Sequence, residues 1–218
     1  MRLPRTSRRS FSSLVLFLLS VVGLVSSWTL TPSFSRLSIG PRNLSELRMS
    51  DKAACNEQTC AKFRGHTVLL TGASGGLGRA LALQLSHCGA HTLVFSGRNE
   101  ESLAAVAAEC ASIRSDVVTH IVTCDLNDAA SVSRLAKEAL EKCNGRIDVL
   151  INNGGVSSRS RFLDTKPEVD RQLMEINFLS GAALAKAVVP GMVERGHGYV
   201  VWISSVQGLR KFFLSSNG

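Results

Sequence analysis

A glycine-rich stretch at residues 71–78 (TGASGGLG) has the composition needed to bind a phosphate group. It follows a short apolar run and leads into leucines spaced four residues apart, so it lies between a predicted strand and a predicted helix. Glycines in such a turn permit positive φ angles and close approach of a pyrophosphate, and the helix N-terminus supplies amide donors. This context predicts a dinucleotide-binding loop; the alternative is a flexible turn without a ligand.

The end of the second apolar run indicates which dinucleotide the loop would bind. An acid at this point would bind the ribose 2′-hydroxyl of NAD, but the sequence has Ser96, Gly97 and Arg98 instead. Arg98 could bind the 2′-phosphate of NADP, and Ser96 could add a hydrogen bond. The sequence therefore favours NADP over NAD, the alternative being that Arg98 is a solvated loop residue.

Asp125 follows the third apolar run, at the edge where ligands bind in open α/β sheets. Its carboxylate could accept a hydrogen bond from the amino group of an adenine. The alternative is a structural role, in which Asp125 caps a helix that begins near Asn127.

Five short apolar runs rich in β-branched residues predict the strands that position these residues. They are residues 66–71, 91–96, 116–124, 147–152 and 199–204. Continuously apolar runs are typical of parallel strands covered on both faces, and three leucine- and alanine-rich stretches at helical spacing lie between them. This alternation predicts an α/β fold, a Rossmann-type doubly wound parallel sheet.

Composition and charge exclude several other classes of protein. The 218 residues are 44% apolar and 19% charged, as in globular proteins. The first 50 residues carry +6 of the net charge of +8, so the remainder has no excess of basic residues with which to bind nucleic acid. We expect no nucleic-acid partner.

The cysteines do not form the pattern of a disulfide framework. Four of them fall in apolar patterns and are expected to be buried free thiols: Cys88, Cys110, Cys124 and Cys143. Cys55 and Cys60 are expected to be free thiols in a linker, a bridge or metal pair between them being the alternative. The side chains of His87, Cys88 and His91 should diverge, so we predict no metal site.

The N-terminal segment has the order of a targeting signal. Basic residues precede an unbroken apolar run at residues 14–25, which predicts a signal peptide or membrane anchor at 1–27. Residues 28–63 are interpreted as a linker or processed transit segment, and 64–218 as the dinucleotide-binding domain. We expect the secretory pathway, in the endoplasmic reticulum or its membrane, with membrane association. The alternatives are a plastid or mitochondrion, and SRRSF also resembles a twin-arginine export signal.

Five motifs, TGASGGLG, CDL, INNGG, MEINF and ISSVQG, occur in an order that resembles the short-chain dehydrogenase/reductase family. The resemblance covers residues 66–208 and is greatest to the membrane-associated member-seven group. It implies that Ser205 positions the substrate carbonyl, that Asn177 holds a water of the proton relay, and that Gly154 replaces an alanine. The implied dinucleotide-binding residues are Gly72, Ser74, Gly76, Leu77, Gly78, Arg98, Asp125, Leu126, Asn153 and Gly155.

The resemblance also implies an activity, the NADP-dependent interconversion of a carbonyl and a secondary alcohol on a small apolar substrate. Homo-oligomers are compatible with it. The family's general acid is a tyrosine, followed by a lysine, about a dozen residues after the serine, at Gly218 here. Tyr199 precedes Ser205 and has no lysine four residues on, so we expect it to be a strand residue. We therefore expect a truncated form, with a sheet incomplete at its C-terminal end and no turnover; the alternative is a non-catalytic NAD(P)-binding or heteromeric partner.

Overall fold

The computed structural model describes residues 57–158 and 160–205, and within these ranges five parallel strands form one sheet. The strands are β1 (Thr67–Thr71), β2 (Thr92–Gly97), β3 (Val118–Thr123), β4 (Val149–Asn152) and β5 (Tyr199–Trp202). Their order in the sheet is β3-β2-β1-β4-β5. The chain therefore moves outward from β1 in one direction and then in the other, which is the doubly wound topology predicted from the sequence.

Helices connect the strands and cover both faces of the sheet. They are α1 (Glu57–Cys60), α2 (Gly76–His87), α3 (Glu100–Ile113), α4 (Ala129–Lys142), α5 (Pro167–Met174) and α6 (Ser180–Arg195). A short 3-10 turn, Phe162–Asp164, precedes α5, and a π-helical turn, Glu175–Leu179, joins α5 to α6. The first face is covered by α2 and α3, and the second by α4 and α6.

Alternation of side chains along the strands produces these two layers of core. Leu70 and Phe95 are fully buried against α2 and α3, whereas Leu69, Val94 and Leu150 are fully buried on the other face. The prediction of strands covered on both faces is confirmed for the three central strands, β1, β2 and β4. The two edge strands differ from them: β3 has α3 and α4 on its two faces but is only partly buried, and β5 is partly exposed.

In the described part of the chain, one continuous helical stretch, Pro167–Arg195, is long and apolar enough to span a membrane by length and composition. Leu184, Val188 and Met192 of this stretch belong to the buried core beside β4. Packing within the domain therefore accounts for part of its apolar composition, whereas Met174, Phe178, Leu179 and Val193 of the same stretch are exposed. The predicted signal peptide or anchor at 1–27 lies outside the described residues.

The segment before β1 belongs to the folded domain. A disulfide joins Cys60 to Cys88, and Phe63 packs against the core of the first face. The expectation of free thiols at Cys60 and Cys88 was therefore wrong, because the polar spacing around Cys60 gave no sign that α1 returns to the end of α2. The described residues before the expected boundary at 64 thus include α1 and one end of this bridge; Cys55 lies outside the described residues.

The amino ends of the strands are joined by a buried carboxylate. Asp148 is fully buried and accepts hydrogen bonds from the Thr67 amide at 3.0 Å and from Arg146 Nε at 3.0 Å. Arg195 Nε lies 3.8 Å from the same carboxylate, as an ion pair rather than a hydrogen bond. Burial raises the pKa of Asp148, but the Thr67 amide and the Arg146 guanidinium outweigh it, so its pKa lies below the ordinary value.

Candidate functional site

The glycine loop after β1 is held in a conformation that only small residues permit. Gly72 has φ +63°, and a Cβ at that position would lie 2.7 Å from Gly154 Cα. A Cβ at Gly78 would lie 2.0 Å from the carbonyl oxygen of Gly72. These two glycines therefore let α2 and the loop after β4 pack directly on the turn.

The N-terminus of α2 is open to a ligand. Its N-cap residue is Gly75, which has no side chain to accept from the first helical amides, whereas Asn99 caps α3 and Asp128 caps α4. A Cβ built at Gly76 would meet no atom within 4 Å, so this side of the turn faces open space. A helix N-terminus that has no side-chain cap from the described residues is suited to binding a phosphate.

The loop opens onto a groove of about 430 Å³ that crosses the carboxyl ends of the strands. All ten of the predicted dinucleotide-binding residues line it: Gly72, Ser74, Gly76, Leu77, Gly78, Arg98, Asp125, Leu126, Asn153 and Gly155. The groove runs from the ends of β2 and β3 to the ends of β4 and β5, where Val156, Ile176 and Ile203 form an apolar wall. Residues far apart in the sequence therefore meet where the strand order reverses.

Arg98 lies at the β2 end of this groove. It is exposed, and no carboxylate of the described residues forms an ion pair with it. Ser74 Oγ lies 3.3 Å from the place where a Cβ of Gly97 would stand, so a side chain at 97 would crowd this hydroxyl. A guanidinium and a hydroxyl thus line the same end of the groove, an arrangement suited to a phosphate.

Asp125 lies at the β3 end of the groove and does not cap a helix. The cap of α4 is Asp128, which accepts from the amides of Ala130 and Ser131. Asp125 instead accepts from the amide of Asn127 at 2.9 Å, in a local turn. The alternative role as a helix cap is therefore wrong, and the exposed carboxylate faces the groove.

Asn153 ties the two halves of the sheet together at the groove. Its side-chain amide donates to the carbonyl oxygens of Thr71 at 3.0 Å and Gly72 at 3.1 Å. Thr71 Oγ1 in turn accepts from the backbone amides of Asn153 and Gly154, both at 3.0 Å. The glycine loop and the loop after β4 are thus fixed to each other by four hydrogen bonds.

Asn177 lies in the π-helical turn, and both ends of its side-chain amide are bonded to one residue. Its Oδ1 accepts from the Val156 amide at 2.8 Å, and its Nδ2 donates to the Val156 carbonyl at 2.9 Å. Its own backbone carbonyl accepts from Trp202 Nε1 at 3.3 Å. Sequence reasoning did not anticipate the π-helical turn or Trp202, since neither alters the spacing of the recognised motifs.

Ser205 and Tyr199 lie at different distances from the groove. Ser205 is exposed and lies two residues after Ile203, which lines the groove, although Ser205 itself is not part of the lining. Tyr199 pairs with Val149 at the amino end of β5, which confirms its interpretation as a strand residue. The chain's one tyrosine is therefore at the edge of the sheet opposite to the groove.

Other chemical groups at the groove are not arranged for metal binding or thiol chemistry. Among the described residues, no cluster of three or more His, Cys, Asp or Glu side chains could hold a metal ion. Cys124 lines the groove but is buried, and burial raises the pKa of its thiol. A neutral thiol is a poor nucleophile, so Cys124 is expected to pack at the groove without reacting.

The doubly wound sheet, the open helix N-terminus and the groove define a dinucleotide-binding α/β domain. The family model described as short chain dehydrogenase matches residues 66–217. The chain belongs to the short-chain dehydrogenase/reductase family, as its motifs predicted.

Curated relatives place it in the member-seven group of that family. It is 44% identical to dehydrogenase/reductase SDR family member 7B of Bos taurus over 152 residues, which cover 68% of this chain and 46% of that protein. The chain thus spans about half the length of the curated relatives it matches.

Solved structures of the family share the fold. A metagenomic short-chain oxidoreductase in complex with NADP is 30% identical with a TM-score of 0.63, covering 69% of this chain and 67% of that one. A short-chain dehydrogenase from Sphingobium yanoikuyae in complex with NADPH is 33% identical with a TM-score of 0.61, covering 66% and 55%.

Proposed function

We propose that the chain forms the dinucleotide-binding part of an NADP-dependent oxidoreductase that interconverts a carbonyl and a secondary alcohol. The observation that carries this proposal is the groove itself, where the N-terminus of α2 and the exposed Arg98 lie along one continuous surface. The NADP and NADPH bound by two similar structures support the choice of cofactor.

Residues along the groove could bind the successive parts of NADP. The first amides of α2 would bind the pyrophosphate, Arg98 and Ser74 the 2′-phosphate, and Asp125 the adenine amino group. Leu126 packs beside Gly154 and would contact the face of the adenine. Bound NADPH would supply the hydride.

The far end of the groove would receive the nicotinamide and the substrate. Its walls at Val156, Ile176 and Ile203 favour a small apolar substrate. Ser205 would position the substrate carbonyl by a hydrogen bond. Since the Asn177 side chain is bonded to Val156, a water held by Asn177 would bind to its backbone carbonyl, which has a second lone pair.

Titration calorimetry of the full chain with NADP and NAD tests the cofactor proposal. We expect Arg98→Ala to weaken NADP binding by about tenfold or more and to leave NAD binding unchanged, because one charge-assisted contact to the 2′-phosphate is lost. Arg171→Ala is the matched control, since Arg171 is exposed and pairs with Glu168 outside the groove lining. Equal affinities for NADP and NAD in the unmodified chain would contradict the proposal.

A second candidate function is NADP binding without turnover. The placement of Tyr199 at the opposite edge of the sheet favours it, because a proton donor must lie within hydrogen-bond reach of the reacting oxygen. The expected result is that the chain binds NADPH but does not oxidise it in the presence of ketones and aldehydes. Sustained oxidation that is lost in Ser205→Ala would instead favour the catalytic reading.

The secretory pathway, in the lumen of the endoplasmic reticulum or at its membrane, is our proposed location, with a plastid or mitochondrion as the alternative. The Cys60–Cys88 disulfide supports it, because disulfides persist in oxidising compartments and are rare in the cytosol. Fluorescent tagging of the full chain tests its location, and alkylation of its free thiols in intact cells tests whether Cys60 and Cys88 are bridged there. Free Cys60 and Cys88 in a cytosolic protein would contradict this location.

A further inference from the structure

Trp202, the last residue of β5, connects the end of that strand to the π-helical turn. Its indole Nε1 donates to the carbonyl oxygen of Asn177 at 3.3 Å. Its ring stacks on Phe178, with centroids 5.8 Å apart and planes 26° from parallel. Trp202 therefore contacts two successive residues of the turn through different kinds of interaction.

The indole also lies directly against the backbone of the helix that follows. A Cβ at Gly181 would stand 2.7 Å from Trp202 Cζ2, so the ring occupies the space that a side chain there would take. Asn152 Nδ2, from β4, donates to the carbonyl oxygen of Gly181 at 3.4 Å. The ring thus fills a site that requires glycine at 181, rather than lying loosely on the surface.

The contact with Asn177 reaches the wall of the groove. Asn177 holds the backbone of Val156 by two hydrogen bonds, and Val156 lines the groove together with Ile176 and Ile203. Ile176 precedes Asn177 in the chain, and Ile203 follows Trp202. Each member of the apolar wall is therefore adjacent to the Trp202–Asn177 contact or bonded to it.

We propose that Trp202 is a positioning residue for the nicotinamide half of the bound dinucleotide. It acts through Asn177, by holding the π-helical turn and the loop after β4 at fixed distance from the end of β5. This inference rests on the proposed binding of NADP. The adenine half would lie over the ends of β2 and β3, at the other end of the groove from the π-helical turn that Trp202 contacts.

The distribution of contacts predicts that a change at Trp202 will weaken the binding of NADP but not that of adenosine 2′,5′-bisphosphate. Trp202→Phe retains an aromatic ring over Gly181 but removes the N–H donor to Asn177. Because this hydrogen bond is within the protein, its loss acts on binding only indirectly, and we expect the dissociation constant of NADP to rise by at most about tenfold and by at least about threefold. That of adenosine 2′,5′-bisphosphate, which has only the adenine half, should stay within about twofold.

Calorimetric titration of the full chain with both ligands measures this difference. Val193→Ala is the control: it removes an exposed side chain of α6 outside the groove lining and should leave both dissociation constants within about twofold. A rise of the same size for both ligands in Trp202→Phe, or no rise for either, would overturn the inference. If the unmodified chain binds neither ligand, the proposed function fails, and this inference with it. If both ligands bind but Trp202→Phe changes their dissociation constants by the same factor, only the inference is overturned.

A second measurement needs no change at position 202. The chain has two tryptophans, so Trp28→Phe leaves Trp202 as the only source of indole emission. We expect NADP to change that emission and adenosine 2′,5′-bisphosphate to leave it unaltered. Emission that responds equally to both ligands, or to neither despite binding, would contradict a role at the nicotinamide half.

Discussion

At the carboxyl ends of the strands, the N-terminus of α2 has no side-chain cap and Arg98 has no carboxylate partner among the described residues. At the amino ends, Asp148 is surrounded by donors, and a disulfide closes the segment before β1 onto α2. At the carboxyl edge of the sheet, polar groups face an open groove. At the amino edge, the carboxylate of Asp148 is bonded within the protein. We conclude that binding is concentrated at the first edge and stability at the second.

Removal of the disulfide at the amino edge should produce the largest loss of stability. Cys60 and Cys88 are 28 residues apart, and loop-closure entropy gives such a bridge roughly 3.5 kcal/mol of the free energy of unfolding. We expect Cys60→Ser to lower stability by about that amount in urea unfolding and to leave the affinity for NADP within about twofold. A loss of binding as large as the loss of stability would break the separation of the two edges.

The matched comparison is the double variant Cys60→Ser/Cys88→Ser. Either single change breaks the same bond, so the double variant should be about as stable as each single one. Added reductant should destabilise the unmodified chain but not the double variant. An unmodified chain that is insensitive to reductant would show that the bridge does not contribute.

Asp148→Asn should have the next largest effect, again on stability. It leaves Arg146 and Arg195 without their buried counter-charge, and we expect the free energy of unfolding to fall by about 2 to 3 kcal/mol. This loss is smaller than for a fully enclosed ion pair, because half of the Arg146 side chain is exposed. Affinity for NADP should not change. Asp116→Asn, which removes an exposed partner of Arg114, is the control and should have little effect on unfolding.

The pH dependence of unfolding provides a second test of Asp148. Its pKa is lowered in the folded state, so its contribution is present above the pKa of the unfolded carboxyl, about 3.9, and is lost as pH falls through the lower folded value. We expect the free energy of unfolding of the unmodified chain to fall below about pH 4, and to fall less steeply in Asp148→Asn. Parallel profiles would show that another carboxylate controls acid unfolding.

Gly78→Ala should lower both the stability of the domain and its affinity for NADP, because it moves the backbone on which the groove is built. The new Cβ would lie 2.0 Å from the Gly72 carbonyl and 2.8 Å from its carbon, so the loop must shift. We expect a loss of about 1 to 3 kcal/mol in urea unfolding and more than tenfold weaker binding of NADP by calorimetry. Gly76→Ala, whose Cβ meets nothing within 4 Å, should unfold at the same urea concentration or a higher one.

The sequence predicted the groove better than the amino edge, for a physical reason. Dinucleotide-binding residues occur in short motifs directly after strands, and parallel topology brings all strand ends together, so all ten predicted residues line one groove. Asp148 and the Cys60–Cys88 bridge depend on contacts between segments that no local pattern relates. The same holds for the contact of Trp202 with Asn177, which joins a strand to an unanticipated irregularity in a helix.

Gly154→Ala should show the smallest effect. Glycine stands here where the family has alanine, and a Cβ at this position would lie 2.5 Å from Leu126 Cδ1. Because that atom ends a flexible side chain, Leu126 can rotate away. We expect Gly154→Ala to cost less than about 1 kcal/mol of stability and to weaken adenosine 2′,5′-bisphosphate and NADP equally, by about two- to threefold.

The cause of that small effect can be isolated with Leu126→Val, which shortens the side chain that the new methyl group would meet. If crowding of Leu126 is responsible, Leu126→Val should restore most of the affinity that Gly154→Ala loses, so the two changes will not be additive. Additive losses in the double variant would place the effect in the backbone of residue 154 instead. In that case the hydrogen bond from its amide to Thr71, rather than the contact with Leu126, would determine how the β4 loop supports the groove.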